Sequence, residues 1–264
     1  MKIIGFGKTC SAVSKELAKA SGFEYRNITK DDYPPLRTIE EAEKIKTDFS
    51  FDVQENEEII FICSGDEKIS GGILRTLEQI KHCKINLLYL LKDKDLLSEA
   101  IIEQQRTIFK ILQNYARSGL FENILCIDEA AIKKQFIADV SMLEYEKKLS
   151  EMLAKMINMV NWLHHADPFY SEINPPNDAC RIKTLGVFAD SEEKLIFSLD
   201  NVRQKDVYFA CTEKTLAEDI NFMEKVKETL KFLKSESENL EYKIVKTDYE
   251  QDFIYLSYHT NFIQ

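Results

Sequence analysis

Apolar residues along this chain fall into two alternating periods. Ile3-Ile4, Ile59 to Cys63, Ile85 to Leu91 and Phe121 to Ile127 are short, nearly unbroken runs, each ending at a polar or glycine-bearing stretch. Such runs suit strands covered on both faces. Between them the spacing shifts to three and four residues: Ala12, Val13, Leu17 and Ala20, then Ile73, Leu74, Leu77 and Ile80, then Ile101, Ile108, Ile111, Leu112 and Tyr115. Each set predicts an amphipathic helix, and Gly119 is placed to cap the third. Phe23 to Ile28 supplies one more strand and Thr38 to Ile45 a short charged helix. Five strands alternating with helices predict a largely parallel sheet wound on both faces.

Ser141 to His165 reads as one long helix, whose apolar face carries Leu149, Met152, Leu153, Met156, Ile157, Val160 and Leu163. A face that wide, rich in methionine, is a buried spine rather than a cofactor site. Pro168, Pro175 and Pro176 stop it, which puts the boundary between lobes at 166–178. Beyond lie a strand over Lys183–Ala189, a helix over Glu192–Leu199, a strand over Val207–Cys211, a long helix over Leu216–Leu233, and strands over Lys243–Thr247 and Phe253–His259. The fold class is therefore α/β: a Rossmann-like parallel-sheet domain over 1–140, a core helix over 141–166 and a smaller α+β domain over 167–264.

Two strand–glycine loop–helix units carry the candidate chemistry. One is Gly5-Phe-Gly7-Lys8, and the other runs from Ser64 and Gly65 through Lys68 and Ser70 to Gly71 and Gly72. The first turn of a helix has unpaired N–H donors at a positive dipole end, so such loops can receive a phosphate, with Lys8 or Lys68 offsetting its charge. In a doubly wound sheet both would fall at the C-terminal strand ends. Neither loop completes a known fingerprint. Cys10 stands where a dinucleotide loop has its third glycine, and Lys2 where a Walker A loop has its first. Gly5 and Gly7 equally suit a tight turn with no ligand. Asp66 and Glu67 sit inside the second loop, where carboxylates repel phosphate.

Charge and cysteine usage narrow the partners. A net charge of −10 over 264 residues gives no general attraction to nucleic acid or anionic membrane. No run approaches the roughly 20 apolar residues that span a bilayer, and Met1-Lys2 leads straight into a short apolar segment unlike a signal peptide. The six cysteines and four histidines have no metal-site spacing, so reduced thiols in a cytoplasmic protein are expected.

The order of parts resembles the tubulin/FtsZ superfamily over nearly the whole chain. Gly5 to Ser11 lies where that family has its first glycine loop, Ser64 to Gly72 where it has its glycine-threonine signature loop, and Ser141 to His165 where it has its core helix. The resemblance implies GTP as ligand, with magnesium when bound, self-association into filaments, and acidic residues after the core helix that position the hydrolytic water. The acids available there are Asp167, Glu172 and Asp178, at a different spacing from the family's. The signature loop departs through Asp66, Glu67 and Lys68, and no counterpart of a further glycine loop stands around residues 46–57. A compact chain so far diverged suits a bacteriophage-encoded or otherwise remote member, acting in the host cytoplasm. Three readings follow. One is a self-assembling structural protein whose nucleotide site is degenerate or lost, with no cofactor in the limit; it is preferred because Asp66 and Glu67 oppose a triphosphate. The others are an active GTPase of the same fold and a Rossmann-type dinucleotide enzyme using Gly5, Gly7 and Asp31.

Overall fold

The computed structural model describes residues 1–36, 38–45, 48–49, 51–189, 191–234 and 239–263. The chain divides into two compact units, Met1–Met159 and Val160–Gln264. The division falls inside the long helix Met142–His165.

The first unit is built from β1 (Lys2–Phe6), α1 (Lys8–Ser21), β2 (Glu24–Ile28), α2 (Ile39–Lys44), β3 (Glu58–Ser64), α3 (Ile73–Gln79), β4 (Lys84–Leu91), α4 (Glu99–Arg117), β5 (Asn123–Asp128), α5 (Glu129–Phe136) and most of α6 (Met142–His165). Its strands are all parallel, in the order β2-β1-β3-β4-β5. Parallel pairing requires helical crossovers that cover both faces, and the apolar runs answer to that. Ile59, Phe61, Ile62 and Cys63 of β3 are fully buried, as are Ile85, Tyr89 and Leu90 of β4.

Helix α1 packs through Cys10, Val13, Leu17 and Ala18, whereas Ala12 and Ala20, expected to face the sheet, are exposed. The buried set advances by three and four residues from Cys10, and two alanines were too small to mark the face against that stripe. Helix α4 buries Ile108, Phe109, Leu112 and Ala116, with Ile101, Ile111 and Tyr115 half-buried along its flank. Just past it Gly119 takes φ +81°, the left-handed conformation expected of its cap. Helix α5 has no counterpart in the sequence reading. Only Glu129 and Ile132 are buried in it, too few to register as a period, and Asp128 starts it by accepting the Ala130 N–H at 2.9 Å. The stretch 46–57, where the resemblance calls for a glycine loop, includes residues 46, 47 and 50, which lie outside the described residues.

The second unit holds the last turns of α6, then β6 (Ile182–Ala189), β7 (Glu192–Leu195), β8 (Gln204–Thr212), α7 (Glu213–Glu218), α8 (Phe222–Leu233), β9 (Asn239–Thr247) and β10 (Phe253–Thr260). Its sheet runs β7-β6-β10-β8-β9, antiparallel except for the β8–β9 pair. Val207, Phe209, Val226, Leu233, Ile244 and Leu256 form its core.

Two expectations fail here. The stretch expected as a helix over Glu192–Leu199 begins as strand β7, which pairs Glu192–Leu195 back onto Ala189–Gly186. Hairpin pairing outweighs a helix propensity carried by only a few charged residues. The long helix over Leu216–Leu233 is broken into α7 and α8, where the Asp219 carboxylate accepts the Asn221 N–H at 3.0 Å and offers the backbone an alternative to helix.

All six cysteines are free and buried. Among the described residues no helix is long and apolar enough to cross a membrane, and no cluster of three or more acidic, histidine or cysteine side chains could hold a metal ion.

Candidate functional site

Parallel strands deliver their C-terminal ends to one edge of the sheet. At that edge the first unit places the residue following each of four strands: Gly7 after β1, Gly65 after β3, Lys92 after β4 and Glu129 after β5. The two glycine loops meet there. The backbone N–H of Lys8, at the start of α1, donates to Glu67 Oε1 at 2.5 Å, and a Cβ on Gly7 would lie 2.5 Å from the same oxygen.

Gly7 has φ +95°, a conformation side chains rarely adopt, so the turn from β1 into α1 requires glycine. No side chain of its own caps α1, and its first turn holds no acidic residue. The negative charge at this helix N-terminus therefore comes from Glu67, 59 residues along the chain. Burial raises the Glu67 carboxyl above its ordinary range, and the Lys8 N–H opposes that rise only in part.

The loop that carries Glu67 is tied down by its own polar groups. The Ser64 hydroxyl donates to Asp66 Oδ1 at 2.5 Å, Ser70 Oγ donates to the Ser64 carbonyl at 2.9 Å, and Gln104 of α4 reaches the carbonyls of Gly65 and Glu67 at 2.7 and 3.0 Å. Lys68 is exposed, and Ser70 and Gly72 are buried.

Other glycines of the candidate set serve close packing. A Cβ on Gly65 would press on Tyr89 Oη and Gln105 Cα, one on Gly71 on the carbonyl of Ile39, and one on Gly72 on the hydroxyl of Tyr33. Gly5 lies against α1, where a Cβ would approach the Cys10 carbonyl at 2.7 Å and Ser11 Cα at 2.9 Å. Those contacts are backbone and cannot swing aside. Gly5→Ala should therefore push α1 off β1 and cost about 1–3 kcal/mol, read as a lowered denaturant midpoint at unchanged slope.

Beside the loops stands an ionic group that sequence reasoning missed. Lys92 Nζ donates to Thr9 Oγ1 in the first turn of α1 and pairs with Glu129 Oε2, both at 3.0 Å. The Glu129 side chain is 6% exposed, and its other oxygen accepts from the Tyr145 hydroxyl at 2.9 Å. The cation that reaches the first turn of α1 from β4 is thus already paired. Lys8 extends its ammonium to Glu146 of α6 at 2.9 Å, an exposed pair of small energetic weight.

The acids Asp167, Glu172 and Asp178 all lie exposed in the second unit. Asp167 and Glu172 both attract the Lys243 ammonium. Of the pair ending the core helix, His165 meets the Asn161 carbonyl through Nδ1 at 2.8 Å, while partial burial and neighbouring Lys183 push His164 down to about 4. His164 is neutral at pH 7 and adds no charge to the helix dipole.

No protein-family model matches the sequence, and no curated protein matches it. Solved structures do match the fold. CetZ2 from Haloferax volcanii, in a GTPγS-bound protofilament, superposes with a TM-score of 0.68 at 14% identity, covering 97% of this chain and 92% of that one. An empty FtsZ dimer from M. jannaschii gives 0.65 at 10% identity, covering 98% and 87%. TubZ from Bacillus thuringiensis serovar israelensis, in a GTPγS-form protofilament, gives 0.64 at 11% identity, covering 97% and 87%. Likeness at this level of identity speaks to architecture alone, and on that ground the chain has the fold of the tubulin/FtsZ superfamily.

Proposed function

We propose that this chain is a cytoplasmic self-assembling protein of the tubulin/FtsZ fold whose nucleotide site is closed by its own Glu67. The observation that carries the reading is the Lys8 N–H to Glu67 bond at the start of α1. A helix N-terminus at the C-terminal edge of a parallel sheet is where such folds receive phosphate, and here a carboxylate of the same chain fills the position. Asp66 adds a second negative charge beside it, and the charge of Lys92 is spent on Glu129. Self-association draws support from the protofilament form of the CetZ2 and TubZ neighbours.

In this reading Gly5, Gly7, Lys8, Ser64, Gly65, Lys68, Ser70, Gly71 and Gly72 are the remnant of a phosphate cradle, and GTP with magnesium is no longer needed for assembly. Light scattering and sedimentation over a range of protein concentrations, with and without GTP and magnesium, test it. The expected outcome is assembly that depends on protein concentration and not on nucleotide. GTP binding with turnover that climbs as the protein is concentrated would select the GTPase reading, with Asp167, Glu172 and Asp178 as the acids to substitute. Binding of NAD would select the dinucleotide reading.

A further inference from the structure

The second unit contains a cavity of about 390 Å³ with a mixed lining. Leu163, Ile173, Leu185 and Leu256 give it apolar walls, and Lys183, Lys243, Asp206, Tyr208, Ser257 and His259 bring polar groups to it. That volume suits a small organic molecule rather than a few waters.

The polar groups are not equivalent. Asp206 is fully engaged, with Oδ2 2.8 Å from His259 Nε2 and Oδ1 accepting from Gln204 at 2.8 Å. Ser257 Oγ lies 3.2 Å from that same Nε2. A nucleophile relay needs the serine and the carboxylate on different ring nitrogens, so this trio is not a hydrolytic triad. Lys243 donates to the Leu163 carbonyl at the end of α6, at 3.3 Å, and is further drawn to Asp167 and Glu172.

Lys183 is different. It feels the attraction of Asp206 yet makes no hydrogen bond or ion pair with any described residue. Burial holds it down to about 8, so its ammonium is still charged at pH 7. Lys183 is half-buried, and a cation partly withdrawn from water against apolar walls gains when an anion pairs with it. The Tyr208 and Tyr255 side chains also line the cavity, offering ring faces and hydroxyl donors.

We infer that this cavity is a binding site for a small organic carboxylate with an apolar or aromatic body, its carboxylate paired with Lys183 and its body against Leu163, Leu185 and Leu256. A phosphate is a poorer fit, because Lys243 is already engaged by the Leu163 carbonyl and drawn to Asp167 and Glu172, and Asp206 beside Lys183 repels a doubly charged group more than a singly charged carboxylate. The site is separate from the glycine loops and does not rest on their reading.

The test uses the full chain at pH 7 and three probes, phenylacetate, indole-3-acetate and octanoate, each against its uncharged amide, with affinities from isothermal titration and saturation-transfer NMR. At least one carboxylate should bind saturably and at least ten-fold more tightly than its amide. Lys183→Met should abolish that preference, and Lys183→Arg should keep most of it. Thermal unfolding confirms that each variant is folded; the acid-against-amide comparison on the unmodified chain stands even if neither variant folds. Binding of no carboxylate below 10 mM, equal affinity for acid and amide, or an undiminished preference in folded Lys183→Met would each overturn the assignment; the 10 mM limit marks about 3 kcal/mol of binding free energy.

Discussion

Glu67→Ala should raise affinity for magnesium GTP by ten-fold to several hundred-fold while lowering the stability of the fold by about 1 kcal/mol. Both effects have one source. The first turn of α1 holds no acidic residue of its own, and the Glu67 carboxylate is the one that accepts its Lys8 N–H, at 2.5 Å. Removing it uncaps the helix, at a typical cost of about 1 kcal/mol. It also removes a negative charge from the place a phosphate would take. At a separation near 4 Å one such repulsion is worth about 1 kcal/mol in water and about 4 kcal/mol near a protein surface. Freeing the N–H for a charged acceptor adds about 1.5–3 kcal/mol to the nucleotide complex. Since about 1.4 kcal/mol is a factor of ten in affinity, the lower part of that range already gives the change predicted.

Glu67→Gln separates the two contributions. The amide keeps an acceptor for the Lys8 N–H and loses the charge, so its stability should stay near that of the parent and its affinity should rise less than in the alanine variant. A fluorescent GTP analogue titrated into the three proteins reads both. An alanine variant that binds nucleotide no better than the parent would mean that Glu67 does not close this site, even if the fold and the assembly reading stand. Acidity gives the same contact a second signature. Burial raises the Glu67 carboxyl above its unfolded value, so the folded chain holds that proton to higher pH than the unfolded one. The contribution of this group is therefore most favourable below its unfolded range and is lost as pH rises through the folded one. Glu67→Gln should flatten that part of the stability profile.

How far this could be read from the sequence follows from the range of each interaction. The parallel strands announce themselves, because a strand such as Ile59 to Cys63 can be apolar on both sides only if helices cover both faces. The spine helix does too, through seven apolar residues in register. Short elements escape. Helix α5 hides because one isoleucine makes no period, and β7 because its partner Gly186–Ala189, not its own residues, decides its state. The site was half visible. Asp66 and Glu67 stood out as carboxylates in a loop built for phosphate, but the bond from Glu67 to Lys8 joins residues 59 apart, a link no local pattern carries. Lys92 and Glu129 had a signal that went unused: each is the first residue after a parallel strand, the position at which this fold gathers its chemistry.

Lys92→Met should be the most destabilising single change near the site, at about 3–5 kcal/mol. The Lys92 and Glu129 side chains are 16% and 6% exposed, and their Nζ and Oε2 atoms are 3.0 Å apart. Removing one member of a buried pair leaves the other charged in a poorly solvated place, which costs far more than the pair itself contributes. Methionine preserves the length of the stem, so little of the loss comes from packing. It also abandons the Thr9 hydroxyl, loosening the first turn of α1 where Glu67 is seated. The double variant Lys92→Met with Glu129→Leu should regain most of the loss, because no charge is then stranded, although the Tyr145 hydroxyl gives up its acceptor and retains a deficit of about 1 kcal/mol. Denaturant titrations of parent, both single variants and the double form a cycle whose coupling energy is the measured quantity. A coupling near zero would mean that the Lys92 charge is not held by Glu129, and a Lys92 ammonium free beside Thr9 would offset the charge of a triphosphate at this loop edge. Glu129→Gln carries the same logic in reverse: it releases the Lys92 charge toward α1, so in the Glu67→Ala background it should deepen nucleotide affinity further, by a factor that Glu129→Gln alone, with the carboxylate of Glu67 still in place, does not reach.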